Sequence, residues 1–318
     1  MASNATPKHP PSRPTPPRLD VVVIGNVGVD TNVFHPDGSI DFEREANFTD
    51  NRDYVGQAGG YTSRGYAQLG CRTAFIGHVG DDFLGDFVRR ELESDGIDLS
   101  GLGIDPTGTS RSVNLMFRDG GRKNFYDGKS HMTLEVDLEL AVPILGRARL
   151  AHVHLPNWAR TLLPSARRLG LTIACDLQDV TDPDDPYRLD FLHGSDILFF
   201  SAANQGEPLE LLRYFAGAYP GKTFVMGMGA MGCAVGSDGE IERFAALEDD
   251  LPIVDTNGAG DGLAVGFLIA RVLEGRSISD SVLRGQLCAR HTCAQRASTR
   301  TLITRAELEA RVRDRHDR

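Results

Sequence analysis

Short apolar runs alternate with amphipathic segments along most of this chain, and the alternation predicts its fold class. The first run, residues 19–24, is rich in valine and ends at Gly25-Asn26, which is typical of a buried strand. Further strands are predicted at 73–76, 150–155, 171–175, 197–200 and 223–226, and helices at 61–69, 83–94, 160–169, 186–192 and 209–214. Because strands and helices alternate, the chain predicts the α/β class, with a mostly parallel central sheet and helices on both faces.

Two polar segments interrupt this pattern and carry hairpin signals. Residues 31–55 contain the turn Pro36-Asp37-Gly38, and residues 113–126 fold back around Arg118-Asp119-Gly120-Gly121. Together they predict a small separate β-sheet built from residues about 31–55 and about 111–130. The edge strands of such a sheet need covering, so we expect pairing with a second copy of the chain.

Composition narrows the classes of function. The 318 residues suffice for one large domain, predicted at 19–318, and the net charge of −10 argues against a nucleic-acid partner, which would need a basic face. No apolar run reaches the ~18 residues of a membrane span. Residues 1–18 are proline-rich and are predicted to be a disordered tail rather than a signal peptide. The five scattered cysteines fit reduced thiols in a cytoplasmic protein.

The strongest chemical signal is the segment Asp255-Thr-Asn-Gly-Ala-Gly-Asp261, which an apolar helical run follows at once. Gly258, Ala259 and Gly260 are small, so their backbone N–H groups can approach an anion at the start of that helix. Asp261 lies at the same positive end and could take a proton from a substrate hydroxyl. The alternative is an ordinary helix cap, since Asp and Gly are common there. An anion pocket beside a base favours phosphoryl transfer to an alcohol.

Two other features bear on ligand binding. Asp30 follows the first strand within a few residues, at the sheet edge where open α/β sheets collect ligands, although it could be a simple turn residue. Residues 227–232, GMGAMG, match the glycine spacing of a dinucleotide fingerprint. That fingerprint should lead into a helix, whereas residues 233–244 predict a hairpin. An NAD-dependent oxidoreductase would rest on this segment alone.

With these residues in place, a family resemblance becomes specific. Residues 255–268 resemble the C-terminal signature of the ribokinase-like (PfkB) carbohydrate kinases, and Gly59, Ser63, Gly70 and Gly80 fall at the spacing of its N-terminal signature. One position departs, because Tyr61 stands where most members have an asparagine that touches the sugar. The similarity spans roughly residues 19–310.

The resemblance implies an ATP-dependent kinase that phosphorylates a hydroxyl of a small sugar, with the small sheet serving as a lid and often as a dimer surface. It implies ATP and Mg²⁺ as cofactors, with K⁺ as a further candidate. The implied catalytic residues are Asp261, Gly258, Ala259 and Gly260, and the implied acceptor-binding residues are Asp30, Gly59, Gly60, Tyr61 and Arg122. The implied nucleotide-binding residues are Gly227, Gly229, Gly232 and Asn257, with Asn204 and Glu207 at magnesium and Asp255 at a monovalent cation.

Several of these assignments have alternatives. Arg122 could be a solvated hairpin charge and Glu207 a plain helix-start acid, and counting from the preceding strand puts Ser201 and Asn204 at the magnesium positions. Tyr61 has an aromatic face that could stack on a nucleobase, so a nucleoside kinase of the same fold is the leading alternative. A catalytically lapsed sugar-sensing protein is a third hypothesis, based on the departures at Tyr61, Ser201 and Gly227.

Overall fold

The computed structural model describes residues 18–35, 40–118, 121–180, 182–201, 207–248 and 251–316. Several predicted features lie outside the described residues: the tail except for its last residue, the turn at 36–38, residues 119–120 of the second turn, and Asn204. Within these ranges no helix combines the length and apolar character that a membrane crossing needs.

The main layer is a nine-stranded sheet with the strand order β13-β12-β11-β10-β9-β8-β1-β4-β5. Its strands are β1 Val21–Ile24, β4 Thr73–Val79, β5 Asp98–Ile104, β8 Leu150–Val153, β9 Thr172–Asp179, β10 Ile197–Ser201, β11 Thr223–Gly227, β12 Cys233–Ser237 and β13 Glu240–Phe244. All neighbouring pairs are parallel except β11–β12 and β12–β13. The predicted mostly parallel sheet is confirmed.

Helices cover both faces of this sheet. They are α1 Gln57–Gln68, α2 Phe83–Ser94, α3 Leu138–Leu145, α4 Leu163–Arg168, α5 Leu189–Gly194, α6 Pro208–Ala218, α7 Ala259–Leu268, α8 Ile278–Cys293 and α9 Arg305–His316. Central strand β1 shows why both faces must be apolar. Val22 and Ile24 join the hydrophobic cluster on one face, and Val21 and Val23 join the cluster on the other, so all four are fully buried.

A second, four-stranded sheet has the order β3-β2-β6-β7, with β2 Gly28–Phe34, β3 Asp50–Gly56, β6 Ser110–Met116 and β7 Arg122–Asp127. The predicted hairpins form it, and β2 and β6 pair in parallel at its centre. The register places Asp30 beside Tyr54 and Ser112, with Tyr126 next in the row. One face of this small sheet, which we call the lid, therefore carries polar and aromatic side chains.

The structure corrects two expectations and confirms a third. Strand β5 and helix α3 were not predicted: β5 is half-exposed and contains two glycines, and α3 contains Pro143. The predicted strand at 171–175 continues to Asp179, so Asp176 and Asp179 lie inside a strand. The hairpin after the GMGAMG segment is confirmed as β12 and β13, which removes the helix that a dinucleotide fingerprint requires.

Candidate active site

The site is built around the N-terminus of α7. Gly258 is the N-cap with φ +73° and ψ 4°, a left-handed conformation that favours glycine. The first helical hydrogen bond runs from the N–H of Gly262 to the carbonyl of Gly258 at 2.8 Å. Of the three predicted anion-hole amides, that of Ala259 already donates to the carbonyl of Thr256 at 3.3 Å. A Cβ added at Gly260 would meet nothing within 4 Å, so this part of the first turn borders open space.

Asp261 lies in this first turn. Its Oδ1 atom is buried and has no hydrogen-bond partner among the described residues. Burial raises the pKa of Asp261 well above its ordinary value, and the negative charges of Asp176 and Asp30 raise it further. A carboxylate with a raised pKa is a better proton acceptor once it is ionised, so the environment suits a general base.

Asp30 faces the same space from the first strand of the lid. Burial raises its pKa to about 6, although it accepts hydrogen bonds from the Gln57 backbone and from Tyr61. The Tyr61 hydroxyl donates to Asp30 Oδ2 at 3.1 Å, while Asp30 Oδ1 is buried without a hydrogen-bond partner in the described chain. One carboxylate oxygen is therefore held in place and the other is available to a ligand hydroxyl.

A chain of buried polar side chains connects the lid to the α7 loop. The Tyr54 hydroxyl donates to Asn32 Oδ1 at 3.0 Å, and Asn32 Nδ2 donates to Asp255 Oδ2 at 2.6 Å. The other oxygen of Asp255 accepts the backbone N–H of Asn257 at 2.8 Å, and Asn257 Nδ2 donates to Asn32 Oδ1 at 3.3 Å. Asp255 and Asn257 are thus buried and bonded within the protein, so their predicted cation and nucleotide roles gain no support from these contacts.

Arg122 reaches the site from the edge strand of the lid. Its Nη1 atom donates to the Thr256 hydroxyl at 3.4 Å. Its positive charge lowers the pKa values of Asp30, Asp255 and Asp261, against the larger effect of burial. The Arg122 guanidinium therefore lies near the carboxylates of Asp30, Asp255 and Asp261, where a transferred phosphate would need a cation.

The glycines predicted at the acceptor and nucleotide positions have different surroundings. Gly59 donates its N–H to the Asn26 carbonyl at 2.9 Å, and a Cβ there would lie 2.4 Å from that oxygen, so α1 packs directly on the end of β1. Gly60 is equally buried, next to Val55. Gly227 ends β11, and Gly229 and Gly232 follow with positive φ values of 56° and 91°.

Of the two predicted magnesium residues, the described part of the chain includes Glu207 alone. Glu207 is exposed at the start of α6, and Asn204 lies outside the described residues. A further carboxylate, Asp176, was not connected with Asp261 by any pattern in the sequence. Asp176 lies on β9 opposite Phe199, burial raises its pKa to about 6, and its charge acts on Asp261. The sequence feature that could have marked Asp176 as a site residue is its place directly after an apolar strand.

The described part of the chain contains no group of three or more histidine, cysteine, aspartate or glutamate side chains that could hold a metal ion. Mg²⁺ usually keeps several waters and needs only one or two carboxylates together with substrate phosphates. Asp176, whose charge acts on Asp261, is a carboxylate that fits that requirement.

A mostly parallel sheet with helices on both faces, a polar lid, an open helix N-terminus and a buried base together define a kinase-type site. Comparison with known proteins identifies the family. The family model for pfkB family carbohydrate kinases matches residues 19–180 and 189–305. The chain belongs to this family and is a sugar kinase, as its resemblance to the two family signatures predicted.

Two similar proteins match over most of the chain. An acarbose 7(IV)-phosphotransferase from Actinoplanes sp. is 29% identical over 294 residues, which cover 91% of this chain and 97% of the relative. The solved structure of a microbiome-derived acarbose kinase has a TM-score of 0.83 at 27% identity and covers 92% of this chain and 98% of the other.

Other relatives are named for different acceptors. A 5-dehydro-2-deoxygluconokinase from Lacticaseibacillus casei is 27% identical over 287 residues, covering 80% of this chain and 84% of the relative. An Arabidopsis thaliana ribokinase complexed with ribose and ATP has a TM-score of 0.77 at 18% identity and covers 92% and 98% of the two chains, which shows the fold alone.

Proposed function

We propose that this protein transfers the γ-phosphoryl group of ATP to a hydroxyl of a small sugar or sugar-containing molecule, with Asp261 as the general base. The observation that carries the proposal is the partnerless, buried Oδ1 of Asp261 in the first turn of α7. It lies beside open space at Gly260 and within electrostatic reach of Asp30 and Arg122.

The acceptor is held by the lid and oriented for reaction. Asp30 Oδ1 accepts a hydrogen bond from one sugar hydroxyl, and the hydroxyl that reacts points at Asp261. Closing the lid over the cleft excludes water, which would otherwise compete as acceptor of the phosphoryl group.

The chemical step uses the base and the helix N-terminus together. Asp261 accepts the proton of the acceptor hydroxyl, whose oxygen attacks the γ-phosphorus, and the bond to the bridging oxygen of ADP breaks. The first-turn amides of α7 and the guanidinium of Arg122 stabilise the charge on the transferred group. Magnesium, held by Asp176 and water, would supply further charge neutralisation at the phosphates.

The placement of Tyr61 favours a sugar over a nucleoside as acceptor. Tyr61 is only 6% exposed, its hydroxyl donates to Asp30, and the hydroxyl of Tyr54 lies 2.9 Å from it. A ring buried in this way offers no free face on which a nucleobase could stack.

The remaining expectations complete the proposal. We infer a homodimer through the outer face of the lid, where Val113 and Leu115 are half-buried and Phe125 is 54% exposed. All five cysteines are free thiols, which supports a cytoplasmic location. Replacing K⁺ by a large organic cation in the assay tests whether a monovalent cation is needed.

The test is ADP release with Mg-ATP against a panel of pentoses, hexoses, deoxy-sugar acids, acarbose and nucleosides, with wild type measured beside Asp261→Asn. We expect acceptor-dependent turnover in wild type alone. ATP binding without turnover on any acceptor, together with stabilisation by a sugar, would instead support the lapsed sensor.

A further inference from the structure

Tyr61 touches three parts of the site at once. Its ring lies against Gly258, where an added Cβ would be 2.3 Å from Cδ1 and 2.4 Å from Cε1 of the ring. Its hydroxyl lies 3.1 Å from Asp30 Oδ2 and 2.9 Å from the hydroxyl of Tyr54. One side chain therefore contacts the acceptor carboxylate, the lid and the N-cap of the anion-binding helix.

The contacts hold the α7 loop at both of its ends. The Tyr61 ring supports Gly258 directly, and a separate chain of hydrogen bonds runs from the Tyr54 hydroxyl through Asn32 to Asp255. Gly258 has no side chain that could cap the helix, so the contact with the Tyr61 ring supports the first-turn amides instead.

The packing behind the ring is incomplete. A small pocket between α1, α7 and α8 is lined by Tyr61, Gly65, Gly262, Cys288 and Thr292. Loss of the ring would enlarge this space and leave the N-cap without a supporting surface, since packed interiors relax only partly around a deletion.

We propose that Tyr61 is a positioning residue that holds the start of α7 against the transferred phosphoryl group, in addition to its hydrogen bond to Asp30. The inference rests on the proposed kinase function. It assigns two effects of Tyr61, one on the phosphoryl group and one on the acceptor, to different parts of the side chain. The ring sets the geometry at the phosphoryl group, and the hydroxyl sets acceptor affinity.

The two parts are separated by Tyr61→Phe and Tyr61→Ala, each assayed for kcat, acceptor KM and affinity for Mg-AMPPNP and Mg-ADP by calorimetry. Tyr61→Phe keeps the ring, so we expect acceptor KM to rise about tenfold with kcat and the AMPPNP-to-ADP affinity ratio preserved. Tyr61→Ala removes the ring, so we expect kcat to fall about 10–100-fold and the affinity ratio to fall with it, because a small misplacement of an anion hole is costly to the rate.

A matched control is Tyr66→Ala, which removes a buried ring from the same helix at a residue whose hydroxyl bonds His152 and not the site. We expect it to lower the melting temperature without changing the affinity ratio. Should Tyr61→Ala fail to fold, Tyr61→Leu replaces it, with the same direction of change in the ratio.

The outcomes separate this inference from the function on which it rests. If wild type binds neither nucleotide, the proposed function fails and the inference with it. If wild type is an active kinase and loss of the ring raises acceptor KM while leaving kcat and the affinity ratio unchanged, the function stands and the positioning role of Tyr61 is wrong.

Discussion

The contact between Gly258 and Tyr61 can be tested through protein stability, independently of any acceptor. Gly258→Ala places a methyl group 2.3 Å from the Tyr61 ring, and it forces alanine into φ +73°. The left-handed conformation costs about 1–2 kcal/mol for a residue with a Cβ. Overpacking a tight interior costs about 1–3 kcal/mol more, and the buried, hydrogen-bonded ring cannot move aside freely.

Gly275 separates these two contributions. It has nearly the same φ, +71°, but a Cβ there meets nothing within 4 Å. Gly275→Ala therefore carries the conformational cost alone. We expect Gly258→Ala to lower the free energy of unfolding by about 2–5 kcal/mol and Gly275→Ala by about 1–2 kcal/mol. Melting temperatures and urea unfolding of the three proteins measure the difference. Equal destabilisation by both variants would refute the close packing of Tyr61 on Gly258.

Three further predictions concern the charges and the open space of the site. Burial raises the pKa of Asp30 from 3.8 to about 6, so the stability that its neutral form contributes is complete below about pH 4 and lost as the pH rises through about 6. Asp30→Asn should therefore stabilise the protein above about pH 6, by on the order of 3 kcal/mol, and not at about pH 4; a pH-independent effect in thermal unfolding would contradict this. Arg122→Gln should lower kcat about 10–100-fold. It should also move the acidic limb of the kcat pH profile to higher pH, because the guanidinium lowers the pKa of Asp261. The control Lys123→Gln, on the other face of the same strand, should do neither. Gly260→Ala should leave the melting temperature unchanged or slightly raised while lowering turnover, because its Cβ enters the open space at the first turn; normal turnover would place the phosphoryl group elsewhere.

The fold was largely predictable because burial on both faces leaves a clear pattern. Strand β1 is four consecutive apolar residues, and strand β10 begins with four apolar residues. Strand β5 was not predicted because it is an edge strand of mixed burial, so no continuous or alternating apolar pattern marks it. Helix α3 was not predicted because a proline such as Pro143 normally argues against a helix interior.

The site was predictable where a local motif carries the chemistry and not where it depends on distant contacts. Residues 255–261 show their small side chains and their base in the sequence itself. The length of β9 places Asp176 near Asp261, and only the folded sheet shows that. The departure at Tyr61 was visible, but its packing on Gly258 joins α1 to the start of α7 and leaves no local signal.

The predicted site residues lie in different parts of the structure. One group of predicted residues lies around a single space: Asp261, Gly258, Gly260, Asp30, Tyr61 and Arg122. Asp255 and Asn257 are buried beneath it, and exposed Glu207 lies at the start of α6.

The most direct test of the account is the fate of the γ-phosphoryl group. Wild type and Asp261→Asn are each incubated with Mg-ATP and the best acceptor from the panel, and the acceptor is analysed by mass spectrometry. We predict that wild type adds one phosphoryl group to the acceptor, and that Asp261→Asn binds ATP but forms product several orders of magnitude more slowly. Near-normal product formation by Asp261→Asn would contradict the assignment of the base and, with it, the mechanism proposed for this site.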